Sequence, residues 1–65
     1  MSGSFVDARG VVCRVSDWVS VVGGPRSGAV GRVIGHDAGH VVIRLDGGTV
    51  AFLRGSSVVF VGGVR

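Results

Sequence analysis

Few side chains in this sequence are chemically reactive, and the first to consider are those that could bind a metal. Cys13 is the only cysteine, and His36 and His40 are the only histidines. Metal sites of recognisable type bring paired Cys or His ligands at close spacing from two places in the chain. Cys13 has no such neighbour, so we expect no metal site and interpret His36 and His40 as polar residues flanking a turn.

Cys13 could also serve as a nucleophile, which requires a nearby base that activates the thiol. It lies between Val12 and Arg14, and no residue pattern identifies the base. We therefore expect Cys13 to be a small buried hydrophobic residue. A single cysteine also excludes an intramolecular disulfide, which is typical of a reducing, cytoplasmic compartment.

The acidic residues give no sign of an active site. All 4 acids are aspartates, and Asp17, Asp37 and Asp46 lie at strand entries or turns, where Asp hydrogen-bonds to its own backbone. No two are spaced as a catalytic pair, and the sequence contains no Glu, Lys or Tyr and no cofactor-binding fingerprint. We expect no enzyme activity, no catalytic residue, no cofactor and no small-molecule substrate.

The positive charge is carried by arginine alone. The 7 basic side chains give a formal net charge of +3, a mild excess that allows binding to a polyanion. Residues 23–28 form a glycine-rich loop, which lacks the Lys-Ser/Thr pair and the helix of a phosphate-binding P-loop and is interpreted as a connection. The residues we expect to contact nucleic acid are Arg26, Arg32, Arg44 and Arg54.

The elements that must position these side chains are strands. Valine is the commonest residue, 13 residues are glycine, and both types are unfavourable inside helices. No stretch of a dozen residues has an apolar stripe at helical spacing. The predicted strands are 11–15, 17–22, 29–35, 41–45, 49–53 and 58–61.

Turn residues separate these strands. Asp46-Gly47-Gly48 contains an Asp-Gly pair, which suits a two-residue type I′ turn and is the strongest local signal in the chain. Residues 36–40 are predicted as a hairpin connection, and residues 54–57 as one tight or 3₁₀ turn. The chain is too short for a second domain. We expect a flexible leader over 1–10, the folded domain over 11–61 and a tail over 62–65.

Short strands punctuated by glycine predict an all-β fold, most economically a small five-stranded barrel with a short N-terminal strand or arm. Closing the barrel removes edges that so valine-rich a sheet would offer for aggregation. The apolar runs are too short for a transmembrane helix, and residues 1–4 lack the features of a secretory signal. We expect no membrane contact and a cytoplasmic location, or one inside a phage or host assembly.

A series of short motifs runs through the chain: Asp17-x-Val19-x-Val21, Gly24 and Gly28, Gly31-Arg32-Val33, Val41-x-Ile43-x-Leu45, and Gly48 with Leu53, Val58 and Val61. This series resembles the KOW motif and the wider group of SH3-like barrels, which includes domains of transcription-elongation factors and ribosomal proteins. The resemblance implies that Gly31 lies where a strand bends and a side chain would collide with its neighbour. It also implies a core of Val19, Val21, Val33, Val41, Ile43, Leu45, Ala51, Leu53, Val58 and Val61.

With this core, strand alternation turns a mixed set of side chains outward. Aromatic rings interleaved with guanidinium groups are typical of nucleic-acid platforms, where bases stack and phosphates bind. The same residue types are enriched in protein interfaces, and the aliphatic members favour protein contact for part of the surface. The outward set is Trp18, Ser20, Val22, Arg32, Ile34, Val42, Arg44, Val50 and Phe52, of which Trp18, Val22, Ile34, Val42, Val50 and Phe52 are the candidate protein interface.

Two functions remain open from the sequence. The KOW resemblance implies a non-catalytic module that binds RNA or DNA within a ribonucleoprotein or transcription complex. The alternative is a self-associating structural or adaptor protein, such as a small phage assembly or decoration component. A hydrophobic content of 46% favours the alternative, because a chain this small cannot bury so many apolar side chains.

Overall fold

The computed structural model describes residues 4–37 and 39–62, which form strands, turns and 3₁₀ turns. The all-β prediction is confirmed. No helix in these residues is long and apolar enough to cross a membrane. Residues 63–65 of the predicted tail lie outside the described residues. The strands are β1 (Ser4–Val6), β2 (Val12–Arg14), β3 (Trp18–Val21), β4 (Val30–Asp37), β5 (His40–Leu45), β6 (Val50–Arg54) and β7 (Val58–Gly62).

The main sheet is five-stranded and antiparallel, in the order β6-β5-β4-β3-β7. The prediction of a closed barrel is wrong, because the sheet ends at β6 on one side and β7 on the other. The 3₁₀ turn Gly55–Ser57 joins these edge strands, and β7 then pairs with β3 instead of β6. The sheet therefore stays open.

The segment expected as a leader contains β1, which pairs with β2 to form an N-terminal hairpin. Phe5 from β1 packs against the core, and Gly55 lies so close to β1 that an added Cβ would be 2.6 Å from the carbonyl oxygen of Val6. The Ala8 N–H donates to the Val58 carbonyl oxygen at 2.9 Å. The hairpin thus covers the region between the edge strands β6 and β7. In a closed barrel these strands would pair with each other; here the hairpin protects their edges from pairing with another chain.

Asp7 fastens this hairpin to β7. Its carboxylate accepts hydrogen bonds from the backbone N–H groups of Arg9 and Val11, both at 2.8 Å, and of Phe60, at 2.7 Å. Burial of the carboxyl group raises its pKa, but the three N–H donors and the charge of Arg9 outweigh this effect and bring the pKa below its ordinary value. The charged form of Asp7 therefore stabilises the join between the hairpin and the main sheet.

Most of the predicted core is confirmed. Val19, Val21, Val33, Val41, Ile43, Leu45, Ala51 and Val58 are buried, and Leu53 is partly buried against them. Cys13 is also fully buried, as predicted for a small hydrophobic residue.

The prediction for Val61 is wrong, because its side chain is 54% exposed. Alternation from Val58 turns Phe60 toward the core instead. A bulge then pairs Val19 with Phe60 and Trp18 with Gly62, which leaves Val61 out of the ladder.

Gly31 confirms the close approach that the resemblance implies. A Cβ at this position would lie 2.9 Å from the carbonyl oxygen of Arg44 and 3.0 Å from Cδ2 of Leu45. Gly31 pairs with Leu45 between β4 and β5, where the buried strands come together. Only a residue without a side chain fits there unless the backbone moves.

Two of the predicted connections differ from the structure. The 3₁₀ turn Asp46–Gly48 takes the place of the predicted two-residue type I′ turn. Both of its glycines have positive φ, 83° and 86°. His36 and His40 are not turn residues, because β4 continues to Asp37 and β5 begins at His40. Cross-strand pairing of Asp37 with His40 explains why the strands extend further than the turn chemistry indicates. The predicted 3₁₀ turn before β7 is confirmed.

Candidate binding face

The side of the main sheet that faces away from the core carries a continuous row of exposed residues. Trp18 on β3 lies opposite Arg32 on β4, and Arg32 lies opposite Arg44 on β5. Arg44 in turn lies opposite Val50 on β6. Residues directly opposite in neighbouring strands have Cβ atoms about 5 Å apart, so the four side chains are neighbours. The sheet register therefore joins residues that are far apart in sequence.

At the aromatic end of this row, the Trp18 ring contacts the guanidinium group of Arg32. The Arg32 guanidinium carbon lies 5.8 Å from the centre of the Trp18 ring, within the range of a cation–π interaction. Arg32 and Arg44 carry like charges at opposed positions, which is unfavourable in a sheet. Within residues 4–37 and 39–62, neither guanidinium has a hydrogen bond or an ion pair. An anion placed between them would relieve this repulsion.

A second, apolar row lies next to the first along the strands. Val42 on β5 lies opposite Phe52 on β6, and the Phe52 side chain is 71% exposed. Ile34 stands beside them at a bulge, where the register shifts between Val33 and Gly35, and is also exposed. We name the two rows together the outer face, which consists of Trp18, Arg32, Ile34, Val42, Arg44, Val50 and Phe52.

The remaining predicted site residues lie outside these two rows. Arg54 is opposite His40 at the adjoining end of β6. Val22 follows β3, is exposed, and donates its N–H to the Ser57 carbonyl oxygen. Arg26 ends a 3₁₀ turn beside a shallow cleft of about 260 Å³, which Pro25, Leu53 and Ser57 also line. Sequence alternation thus identified the outer face, although it also included Val22. Arg26 and Arg54, predicted from their charge to contact nucleic acid, lie outside the two rows.

The distribution of acids makes the surface more basic than the net charge indicates. Asp7 and Asp17 are buried and accept backbone hydrogen bonds, in the case of Asp17 from the Arg14 N–H at 2.9 Å. Every arginine among residues 4–37 and 39–62 is exposed. The exposed acids in the same part of the chain are Asp37 and Asp46, and neither belongs to the outer face. The outer face therefore presents positive charge and apolar surface together.

Neither a metal nor a nucleophile is evident in the described part of the chain. Its His, Cys and Asp residues do not form a group of three that could hold a metal ion. The Cys13 thiol is fully buried and donates to the Val11 carbonyl oxygen at 3.6 Å. A buried thiol in an apolar core cannot meet a substrate without local unfolding.

Comparison with known proteins returns no match: no protein-family model, no curated protein and no solved structure is similar to this chain. The exposed side chains of the outer face combine aromatic rings, guanidinium groups and aliphatic surface, which are the components of many binding surfaces.

Proposed function

We propose that this protein is a non-catalytic, SH3-like and KOW-like binding module whose outer face contacts single-stranded RNA or DNA. The observation that supports this proposal is the pair Arg32 and Arg44, which lie opposite each other across β4 and β5, have no ionic partner among the described residues, and are bordered by Trp18 and Phe52. Proteins that bind single strands combine a positive track for the phosphates with aromatic rings for the bases. The outer face contains both components.

The chemistry of each component supports this assignment. A phosphate bound between Arg32 and Arg44 would replace their mutual repulsion with charge-assisted hydrogen bonds. Phe52 is largely exposed, so its ring is free to stack on a base, an interaction worth about 1–3 kcal/mol per base. Trp18 keeps 41% of its surface exposed while it contacts Arg32. A single-stranded nucleic acid lying along the outer face would make both the phosphate contacts and the stacking contacts.

The KOW-like assignment is supported by the five antiparallel strands and by the close contact at Gly31. The resemblance in turn implies nucleic-acid or ribonucleoprotein contact. Because small β folds of this kind serve many functions, the outer face is the stronger argument.

Arg44→Gln is expected to weaken binding to a single-stranded oligonucleotide of about 10 nucleotides, a length typical of such sites. Losing one phosphate contact should reduce the slope of log K against log salt by about 0.7. The matched control is Arg14→Gln, which removes the same charge from exposed β2, away from the outer face. Fluorescence anisotropy at about 50 to 200 mM salt measures the affinity and the salt slope of each variant.

Phe52→Ala should weaken the same complex while leaving the salt slope unchanged, because stacking releases no counterions. Absence of binding to both RNA and DNA at the lowest salt would contradict the proposal. Equal losses of affinity and slope in Arg44→Gln and Arg14→Gln would contradict the assignment of binding to the outer face.

Self-association through the same surface is the second candidate, and the exposed aliphatic side chains favour it. Ile34 and Val50 are exposed within the outer face, and Val22 is exposed nearby. Apolar patches on small proteins commonly mark protein contacts. Light scattering combined with the 260/280 nm absorbance ratio separates the candidates. A nucleic-acid-free oligomer that Phe52→Ala dissociates would support self-association.

A further inference from the structure

A cavity of about 430 Å³ opens between the N-terminal hairpin and the adjoining ends of β4, β5 and β6. This volume is within the range of pockets that hold small ligands, about 300–1,000 Å³. The side chains that line it and could contact a ligand are those of Ser4, Phe5, His36, His40, Arg54 and Ser56.

The polar groups of this cavity are donors suited to an anion. The lining residues carry two imidazoles, one guanidinium and two hydroxyls, and none of the aspartates in residues 4–37 and 39–62 is among them. Asp37 pairs with His40 in the β4–β5 ladder but is not among the lining residues. Within residues 4–37 and 39–62, none of these polar side chains has a hydrogen bond or ion pair. Their donors are therefore free to bind a ligand.

The fold brings these groups together from separate parts of the chain. His40 lies opposite Arg54 in the β5–β6 ladder, so an imidazole and a guanidinium stand side by side. His36 comes from β4, and its ring lies 6.0 Å from that of Phe5, centre to centre. The hairpin lies close against this end of the sheet, since a Cβ added to Gly55 would be 2.6 Å from the Val6 carbonyl oxygen. The cavity thus has basic groups on one side and an aromatic wall beside them.

We propose that this cavity binds a phosphate monoester, such as a nucleotide phosphate. The guanidinium of Arg54 and the imidazole of His40 hold its oxygens, with hydroxyl hydrogen bonds from Ser4 and Ser56, while His36 and Phe5 form the adjoining wall. A monoester is favoured over an internal phosphodiester because it carries nearly two negative charges and three free oxygens.

Two sources could supply this group. One is a free nucleotide. The other is the 5′-phosphate end of a strand on the outer face, since the His40–Arg54 pair is the next outward row after Val42 and Phe52, about 7 Å along the strands. The second source rests on the proposed function, whereas the first does not.

The test titrates the full chain with adenosine 5′-monophosphate and separately with adenosine, following amide chemical shifts by NMR. Saturable shifts of Gly39 and Gly55, which line the cavity, are expected with the monophosphate alone. Arg54→Gln and His40→Gln should each weaken this binding about tenfold or more, as expected for lost charge-assisted contacts. Arg14→Gln, on β2 and outside the cavity, should leave the affinity unchanged.

Equal binding of adenosine and its monophosphate would overturn the proposal, as would an affinity that Arg54→Gln and His40→Gln leave unchanged. The absence of saturable shifts at Gly39 and Gly55 would also overturn it. A 5′-phosphorylated oligonucleotide that binds more tightly than its 5′-hydroxyl form, with the difference lost in His40→Gln, supports the strand end as the source. Monophosphate binding without any oligonucleotide binding supports the cavity and contradicts the nucleic-acid function of the outer face.

Discussion

Replacing Asp7 with asparagine is expected to lower the free energy of unfolding by about 2–3 kcal/mol. One carboxylate oxygen of Asp7 accepts the N–H groups of Arg9 and Val11 within the N-terminal hairpin, and the other accepts the Phe60 N–H and so joins the hairpin to β7. An asparagine side chain retains one acceptor oxygen and turns an NH₂ group toward an N–H donor. At least one buried donor then loses its partner. Proteins of this size have a total stability of about 3–10 kcal/mol, so the loss is a large share of it.

Urea denaturation followed by circular dichroism at about pH 7 measures this difference. The control is Asp46→Asn, because Asp46 is exposed in a turn and its carboxylate accepts no hydrogen bond within residues 4–37 and 39–62. That change should shift stability by less than about 0.5 kcal/mol. Equal stabilities of the two variants would show that Asp7 does not hold the hairpin in place.

Asp7 also predicts a dependence on acid pH. Its pKa in the folded protein is lower than the ordinary value of 3.8 that applies to the unfolded chain, so the unfolded chain binds the proton first as the pH falls. The stabilisation by Asp7 is complete above the pKa of the unfolded chain and disappears as the pH falls through the pKa of the folded protein. The difference in the free energy of unfolding between the wild-type protein and Asp7→Asn should therefore shrink below about pH 4. A constant difference down to about pH 2 would contradict this explanation.

Gly31→Ala is expected to destabilise the protein by about 1–3 kcal/mol, as overpacking does in well-packed cores. The added methyl group would meet the Arg44 carbonyl oxygen at 2.9 Å, and a backbone atom cannot rotate away. The β4–β5 ladder must therefore open near the position where Arg32 and Arg44 face each other. Weaker nucleic-acid binding should accompany the loss of stability.

Gly35→Ala is the matched control, since Gly35 is on the same strand and no atom lies within 4 Å of its added Cβ. It should be neutral or slightly stabilising, because alanine loses less backbone entropy on folding than glycine. Thermal or urea unfolding of both variants gives the comparison. Equal destabilisation by the two substitutions would show that the close contact at Gly31 does not explain its glycine.

The main sheet could be predicted because its signals are local. Val19 and Val21 alternate with polar or exposed neighbours, as do Ile43 and Leu45, and such alternation assigns each side chain to one face. Gly31 was identified through the motif resemblance. That Phe60 and not Val61 faces the core could not be predicted. A bulge changes the alternation in this pairing, and its position depends on the partner strand.

The open sheet and its covering hairpin depend on contacts between distant segments, which a single sequence does not reveal. Ser4–Val6 is too short to give a strand signal of its own, and its position depends on Asp7. One local signal was available: Asp7 precedes Gly10 by three residues, a spacing typical of a type I β-turn, and the Gly10 N–H donates to the Asp7 carbonyl oxygen at 3.1 Å. The role of Asp7 also depends on Phe60, which is 53 residues away in the sequence.

The candidate site shows the same division between local and long-range information. Exposure of Trp18 and Phe52 follows from alternation on their own strands. The opposition of Arg32 to Arg44 depends on the β4–β5 register. The meeting of His36, His40 and Arg54 at one cavity depends on the N-terminal hairpin as well. Arg54 was predicted to contact nucleic acid, whereas both histidines were interpreted as turn residues.

Nucleic-acid binding by the outer face is tested most directly by an NMR titration with a single-stranded oligonucleotide at about 50 mM salt. We predict saturable shifts of the Trp18 indole N–H and of the Arg32, Arg44 and Phe52 amides. Arg44→Gln should weaken them more than Arg14→Gln does. Unchanged spectra, or shifts confined to the N-terminal hairpin, would contradict binding of a strand to this side of the sheet.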